Sequence, residues 1–406
     1  MNKIVSIIKD NKSLFKIAEK IIDIVRWSKD NTINRMYWYF YSKRPIEKNK
    51  IVICSYYGKG YSDNGKYIVN EILRRNLDVD IVWIVEDENI DNRLPKQIRS
   101  VEYMSKYMIY ELATAKIWID NSRKHQYVKK RKEQKYIQTW HGGVALKRIE
   151  ADAGNTLTKN YIRLAKRDSE NIDILISNSK FNSDMYKRAF WYEGNILECG
   201  SPRNDSIVNR DTMLINKVKN VLGIESDKKI IMYAPTFRKD NNIEKYKFDY
   251  SKIIKEFNEM FSTEFVLIIR LHPNIFKSST KLNLESIKDV YNASFYSDMQ
   301  ELLSVSDILI TDYSSSMFDF MLSRKPCFIY ASDEESYLNE RGFYFDIKEL
   351  PFLYSKNQKE LINNIREFDR ELYKNKVENF INKIESYDMG KASSCVVDWI
   401  EKYIKV

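Results

Sequence analysis

Cysteine, histidine, glycine and proline are all scarce along these 406 residues, and each scarcity excludes something. The four cysteines, Cys54, Cys199, Cys327 and Cys395, are widely spaced with no C-x-x-C pair, and only three histidines are present. That inventory supports neither a disulfide framework nor a zinc site, and it reads as a cytosolic, reduced chain. Eleven glycines and seven prolines are too few for a fibrous or low-complexity protein. No stretch approaches the roughly 20 consecutive apolar residues of a membrane-spanning helix. Lys9, Asp10 and Lys12 interrupt the first apolar residues, which therefore do not read as a secretory signal. The Walker and dinucleotide glycine motifs are missing too.

What is present is a chain long enough for two or three domains, 43% hydrophobic and 13% aromatic, so disorder is excluded as its main state. The net charge of +10 is uneven, for residues 1–50 hold twelve Lys and Arg against five Asp and Glu. A surplus of that kind points to an anionic partner, either lipid headgroups or nucleic acid. Ile4, Ile7, Ile8, Leu14, Phe15, Ile17, Ala18, Ile21, Ile22 and Val25 recur at mostly helical spacing, with Lys9, Lys12, Lys16 and Lys20 among the polar positions. The aromatic run Met36 to Tyr41 and then Lys43-Arg44 follow. Such a segment suits a membrane interface, or it packs on the domain's own core.

From residue 50 short β-branched runs alternate with helical stretches. The expected strands are Ile51–Ser55, Val79–Val85, Lys116–Asp120, Tyr136–Trp140, Asp173–Ser177 and Ile196–Cys199, then Lys229–Ala234, Phe265–Leu271, Asp307–Thr311 and Pro326–Tyr330. Nearly continuous apolar strands separated by helices predict parallel sheets covered on both faces. Two such blocks predict two α/β domains with a boundary near 210–225.

In open α/β sheets, ligands bind beyond the carboxyl ends of the strands. His141 directly follows one expected strand in Thr139-Trp140-His141-Gly142-Gly143, and His272 another in Arg270-Leu271-His272-Pro273. A histidine so placed, with glycine beside it, suits proton transfer. His125, in a basic stretch, reads as a solvated surface residue, and Lys129 to Lys132 as a solvated loop. Asp312-Tyr313-Ser314-Ser315-Ser316 ends a strand before a helix, as an N-cap or as an anion-binding turn. Tyr233-Ala234-Pro235-Thr236-Phe237-Arg238 and Gly200-Ser201-Pro202-Arg203-Asn204-Asp205 add guanidinium groups suited to phosphate. Arg203, Arg238, Arg270 and the serines together suggest a cleft for a diphosphate. Gly58, Gly60 and Gly65 after the first strand offer weaker room for a substrate.

These motifs, in this order, together with Leu146-Lys147, Phe318-Asp319-Phe320 and Arg341-Gly342-Phe343-Tyr344-Phe345-Asp346, resemble the CDP-glycerol glycerophosphotransferase family over roughly residues 50–350. The resemblance implies a GT-B architecture of two Rossmann-like domains facing a cleft. Residues 1–48 would be the basic helical segment for membrane association, 49–215 the acceptor-side domain, and 216–406 the CDP-donor domain with terminal helices. It implies transfer of a polyol phosphate, glycerol or ribitol, from a CDP-polyol to a hydroxyl of a lipid-linked or growing teichoic-acid or capsular polymer, releasing CMP. By that likeness His141 is the base and His272 is catalytic with it. Trp140, Gly142, Arg203, Pro235, Thr236, Arg238, Arg270, Ser314, Ser315 and Asp319 bind substrate, and no metal or cofactor is needed. The family commonly reads Trp-His-Gly-Thr-Pro-Leu-Lys, whereas Gly143, Val144 and Ala145 stand in the middle here, which leaves the polyol open.

The expected partners are thus a CDP-polyol, a polymeric or lipid-linked acceptor and an anionic membrane surface at its cytoplasmic face, with no nucleic acid. A glycosyltransferase using a nucleotide sugar and a non-enzymatic binder of anionic polymer are the other readings.

Overall fold

The computed structural model describes residues 31–86, 94–238, 246–271, 284–334 and 342–404. The first block forms a seven-stranded sheet of β1 (Glu47–Cys54), β2 (Asp80–Val85), β3 (Ile98–Glu102), β4 (Ala115–Asp120), β5 (Lys135–Gln138), β6 (Ile174–Ser177) and β7 (Asn195–Glu198). Its order is β3-β2-β1-β4-β5-β6-β7 and every pairing is parallel. The second block forms a six-stranded parallel sheet of β8 (Lys229–Ala234), β9 (Phe265–Ile269), β10 (Val290–Asn292), β11 (Ile308–Thr311), β12 (Cys327–Tyr330) and β13 (Leu353–Ser355), ordered β10-β9-β8-β11-β12-β13. The expected α/β class with two parallel sheets is what the chain adopts.

Successive residues of a strand face opposite sides, and β1 shows why its run is unbroken. Ile51 and Ile53 pack with Ile68, Val69 and Ile72 of helix α1 (Asp63–Arg74), while Val52 and Cys54 pack with Met108, Ile109 and Leu112 on the other face. Gly65 belongs to this packing, not to a substrate. A Cβ there would lie 2.9 Å from Ile53 and 3.0 Å from Trp83, so only glycine lets α1 lie this close.

The three strands absent from the sequence reading are β3, β10 and β13. They are edge strands, and β10 and β13 have three residues each. An edge strand lacks the buried neighbour that forces a continuous apolar run.

The last helix departs from the expected 216–406 unit. Four further helices carry the remaining argument: α2 (Lys180–Ala189), α3 (Met299–Val305), α4 (Ser316–Met321) and α5 (Ala392–Glu401). Val396, Val397 and Ile400 of α5 are buried in the first sheet's core beside α1, so the chain returns across the boundary to finish the first block. Arg75 fastens that return by donating to Asp398 at 2.6 Å and to the Ser394 hydroxyl at 2.6 Å.

Residues 31–41 are helical. Trp38 of this helix is buried edge-on to Trp118, with ring centroids 6.0 Å apart, while Met36, Tyr39 and Phe40 stay exposed. The aromatic run therefore splits, one face docking on the core and one facing outward. The amphipathic pattern of residues 3–27 lies outside the described residues. Among the described residues no helix is long and apolar enough to cross a membrane.

Candidate active site

Chain segments leaving the carboxyl ends of both sheets meet around His141. Trp140, just after β5, is left-handed with φ 52°, a strained conformation for a bulky residue. The His141 Nδ1 lies 2.7 Å from the carbonyl of Asn121, which follows β4. A carbonyl can only accept, so Nδ1 carries the proton and Nε2 keeps a lone pair. The Trp140 ring lies 4.2 Å from the imidazole at 30°, and Tyr56 approaches to 5.7 Å. The residue as a whole is solvent-accessible, yet protein crowds the ring, and this desolvation lowers its pKa below the ordinary value. The Asn121 carbonyl and Asp63 pull the other way but do not prevail.

Beneath this loop, Trp140 is braced by Phe190 edge-on at 4.8 Å, and the Arg123 guanidinium lies over both rings. Arg123 in turn pairs with Glu150 at 2.9 Å and Asp168 at 3.4 Å. Asn121 fixes its own backbone as well, accepting from the Tyr56 amide and donating to Asp63, each at 2.8 Å.

Arg203 and Asp319 were expected on the donor, but both are buried and bind each other. Arg203 donates to Asp319 at 2.8 Å, to Asp63 at 3.2 Å and to the His141 carbonyl at 2.8 Å. Asn204 donates to Asp319 at 3.2 Å and accepts from Gln300 of α3 at 2.8 Å. This buried network ties the first block to the second directly under His141. Burial raises the pKa of Asp63, but Arg203, the Tyr56 hydroxyl and the Asn64 amide outweigh it, so the net shift is downward. For Asp319 burial prevails and the net shift is upward. Two carboxylates sharing one guanidinium cannot both be fully compensated. Gly143 fits the same network, since a Cβ there would stand 2.7 Å from Asp319 Oδ1 and 3.2 Å from Asn178.

At the second sheet the expected cations divide. Arg238, following β8, is buried against Asp312 at 2.7 Å and forks onto Asp333 at 2.7 and 2.9 Å. It also donates to the Thr236 hydroxyl, and the Thr236 amide donates to Asp312 at 2.8 Å. The Pro235-Thr236-Arg238 turn is therefore held by carboxylates, and Arg238 shapes the turn more than it faces a ligand. Arg270, following β9, has carbonyls as its hydrogen-bond partners among the described residues. It donates to the carbonyls of Ala293, at 3.2 Å, and Tyr296. Burial lowers its pKa, with Asp298 and Tyr56 opposing, so among the described residues it is the cation of the set least neutralised by carboxylates. Ser314 and Ser315 lie half-buried before α4, the Ser314 hydroxyl accepting from the Ser316 amide and hydroxyl at 3.3 and 2.9 Å. Gly142 is half-buried beside Trp140. His272 lies outside the described residues.

The loop beyond Gly143 crosses to the second block. Val144 and Leu146 are buried in that block's core. The Arg148 amide donates to the Gly342 carbonyl and the Tyr344 amide to the Leu146 carbonyl, both at 2.8 Å, around an antiparallel bridge of Lys147 with Phe343. Tyr344 also donates to Asp152 at 2.7 Å. The stretch 342–346 thus clamps the histidine loop.

His125 is a second correction, because it is stacked instead of solvated. Its ring lies 5.3 Å from Tyr127 at 5°, and Nε2 is 2.5 Å from the Tyr103 hydroxyl. Burial, with Lys124 beside it, brings its pKa down to about 4. In the basic run, Lys130 pairs with Asp173, and Arg131 donates to the Arg44 and Ala113 carbonyls. That loop is anchored more than the sequence suggested. Asn121, Asp63, Tyr56 and Arg123 went unmarked in the sequence, although three of them follow strands β1 and β4 and obey the strand-end rule.

A family model described as CDP-glycerol:poly(glycerophosphate) glycerophosphotransferase matches residues 36–402. The chain is 34% identical over 379 residues to the teichoic acid poly(glycerol phosphate) polymerase of Staphylococcus epidermidis, covering 89% of this chain and 51% of that protein. It is 35% identical over 380 residues to the teichoic acid glycerol-phosphate transferase of Staphylococcus aureus, covering 89% and 95%. A solved structure of the wall teichoic acid polymerase TagF matches with a TM-score of 0.81 at 31% identity, covering 96% of this chain and 97% of that one. The chain spans about half the length of the curated polymerases of S. epidermidis and Bacillus subtilis, and nearly all of the S. aureus transferase.

Proposed function

The chain belongs to the CDP-glycerol:poly(glycerophosphate) glycerophosphotransferase family, and from that premise we propose that it transfers glycerol phosphate from CDP-glycerol to a hydroxyl of a teichoic-acid acceptor. The observation that carries this reading is the His141 imidazole, its Nδ1–H donated to Asn121 and its Nε2 left to accept. In the proposed step Nε2 takes the proton of the acceptor hydroxyl. The oxygen forms a bond to the phosphorus bearing glycerol, and the bond from that phosphorus to the bridging oxygen breaks. CMP leaves with the electron pair. A neutral imidazole suits this task near neutral pH.

Charge building on the phosphoryl oxygens and on CMP needs fixed donors. Arg270 and the Ser314-Ser315 turn are the groups we assign to it. Arg203, Asp319, Arg238 and Thr236 act behind them as positioning residues. No resident metal is assigned. Glycerol is preferred to ribitol because the glycerol-phosphate relatives are 32–35% identical over most of the chain, whereas ribitol-phosphate relatives are 26–27%. We read the two sheets as a GT-B arrangement, the first block serving the acceptor and the second the donor. The basic first 48 residues and the exposed Met36, Tyr39 and Phe40 support attachment to the cytoplasmic face of the membrane. Unchanged membrane sedimentation after deletion of residues 1–45 would rule that segment out as the anchor.

The test is CMP release from CDP-glycerol and CDP-ribitol with acceptor-bearing membranes, with and without chelator, for wild type and His141→Ala. Release from CDP-glycerol that survives the chelator and is lost in the variant is the expected result. Full activity in His141→Ala removes that residue as the base.

A further inference from the structure

The backbone carbonyls of His141 and Gly143 are each held by a side chain, and both holds lead back to one carboxyl. Arg203 donates to the His141 carbonyl at 2.8 Å, and Asn182 of α2 donates to the Gly143 carbonyl at 2.9 Å. Asp388 stands where the two arms meet. Its Oδ1 accepts from the Ser201 amide at 2.7 Å, in the turn that carries Arg203. Its Oδ2 accepts from Asn178 at 3.0 Å and from Asn204 at 3.4 Å. Asn178 in turn accepts from Asn182 at 2.6 Å. Asp388, Asn178 and Asn182 are all buried.

The chain reaches this point on its way back to α5. The Lys180 amide donates to the Glu385 carbonyl at 3.0 Å and the Tyr387 amide to the Asn178 carbonyl at 2.8 Å, around an antiparallel bridge of Ser179 with Ser386. The returning segment thus pairs with the backbone just beyond β6, at the carboxyl end of the first sheet. Gly200 makes room for it, since a Cβ there would stand 2.9 Å from Asp388 Oδ1.

An ionised carboxylate only accepts hydrogen bonds, whereas a carboxamide has a donor end and an acceptor end. Asp388 therefore draws the Asn178 nitrogen toward itself and turns the Asn178 oxygen toward Asn182. Asn182 must answer with its own nitrogen, which it shares between Asn178 and Gly143, and its Oδ1 is left without a partner among the described residues. A buried acceptor left unmade costs stability, and here the cost accompanies a donor aimed at the histidine loop. Asp388 is costly too. Burial raises its pKa to about 7, the Ser201 amide opposing, Asp319 of α4 adding to the rise, and Asn178 and Asn204 opposing. Carboxyls so perturbed collect at functional sites.

We infer that Asp388 is a positioning residue for the transfer, one carboxyl that fixes the histidine loop at two points, through Arg203 and through Asn182. The inference deepens the proposed function and rests on it for the word transfer. The competing role is simply to dock α5. Arg75 fastens that helix by other bonds, to Asp398 and Ser394, and so separates the two roles.

The test uses the full chain at pH 8.5, above the pKa values of both Asp388 and His141. Asp388→Asn keeps the shape but offers a donor where only an acceptor stood. It should lower kcat at least tenfold with the KM for CDP-glycerol within twofold. Nitrogen-15 NMR of the imidazoles, with His141 picked out among three histidines by His141→Gln, should show its Nδ1–H form in wild type and a mixture of tautomers in Asp388→Asn. Arg75→Ala should keep both readings within twofold of wild type. Asn182→Ala should lower kcat, and adding it to Asp388→Asn should lower kcat no further, because that arm is already released. Wild-type kcat and tautomer in Asp388→Asn overturn the assignment. So do an equal loss of kcat in Arg75→Ala and losses that multiply in the double variant. The tautomer reading needs no turnover, so the expected shift in a protein that releases no CMP from CDP-glycerol keeps the positioning role and refutes the transfer reading alone.

Discussion

Replacing Arg203 by methionine removes one guanidinium from between two buried carboxylates, and its cost can be worked from the contacts. Arg203 donates to Asp63, Asp319 and the His141 carbonyl, and the side chains of both aspartates are almost wholly shielded, 2% and 4% exposed. Breaking a buried pair by removing one partner costs about 3–5 kcal/mol, because the charge left behind stays desolvated. The loss should vary with pH in a definite direction. Without Arg203, the charge that most opposes burial is lost from both carboxylates, so their folded-state pKa values move upward, against only the hydrogen bonds from Tyr56, Asn64, Asn204 and Gln300. A raised carboxyl contributes stability below its unfolded pKa and loses it as pH rises through the folded pKa. In wild type, by contrast, Asp63 is lowered and contributes stability that is lost on acidification. The gap between wild type and Arg203→Met should therefore be widest at pH 7.5 and narrow at pH 5. Urea unfolding followed by tryptophan fluorescence at the two pH values measures it. A double variant with Asp319→Asn should recover part of the loss, with a coupling energy of about 0.5–3 kcal/mol. A gap under about 1 kcal/mol at pH 7.5, or one that widens on acidification, refutes the argument.

Since desolvation lowers the pKa of His141, the acid limb of log(kcat/KM) should have its midpoint below the ordinary imidazole value of about 6.5. A midpoint above that value contradicts the assignment of His141 as a crowded neutral base. Gly143→Ala places a methyl 2.7 Å from Asp319 Oδ1, and overpacking of this kind costs about 1–3 kcal/mol. Its kcat should fall with little change in donor KM, and an alanine variant with wild-type Tm and kcat removes the close-packing account. Ile400→Ala empties a fully buried position between α5 and the first sheet and should cost about 2–5 kcal/mol, a loss that calorimetry would miss only if α5 were not part of the folded core.

How legible the molecule was depended on burial. Interior strands such as β1 and β9 are apolar on both faces and can be read from composition alone, and each expected strand is present near its predicted place. Edge strands β3, β10 and β13 escaped because one side of each has no neighbour to satisfy. The strand-end rule marked His141, Arg270 and the serines as candidates. It could not tell which of the marked arginines the protein itself pairs with carboxylates. Arg203, Arg238 and Arg270 have similar settings in the sequence, and only the positions of Asp63, Asp312, Asp319 and Asp333 separate them. Those partners lie up to 140 residues away along the chain, beyond any local pattern. His125 misled for a related reason, since the rings that bury it come from different strand ends.

The crossing of α5 back to the first sheet also sets an order for the chain's birth on the ribosome. β7 is complete at Glu198, but the face that α1 covers in part is completed only with Val396, Val397 and Ile400. At about 5–20 residues per second, that interval is on the order of 10–40 s. Through it the first sheet must wait with part of an apolar face uncovered while the second block is made. A nascent chain stalled in that window would present sticky surface to its neighbours, and the final helix is the event that closes it.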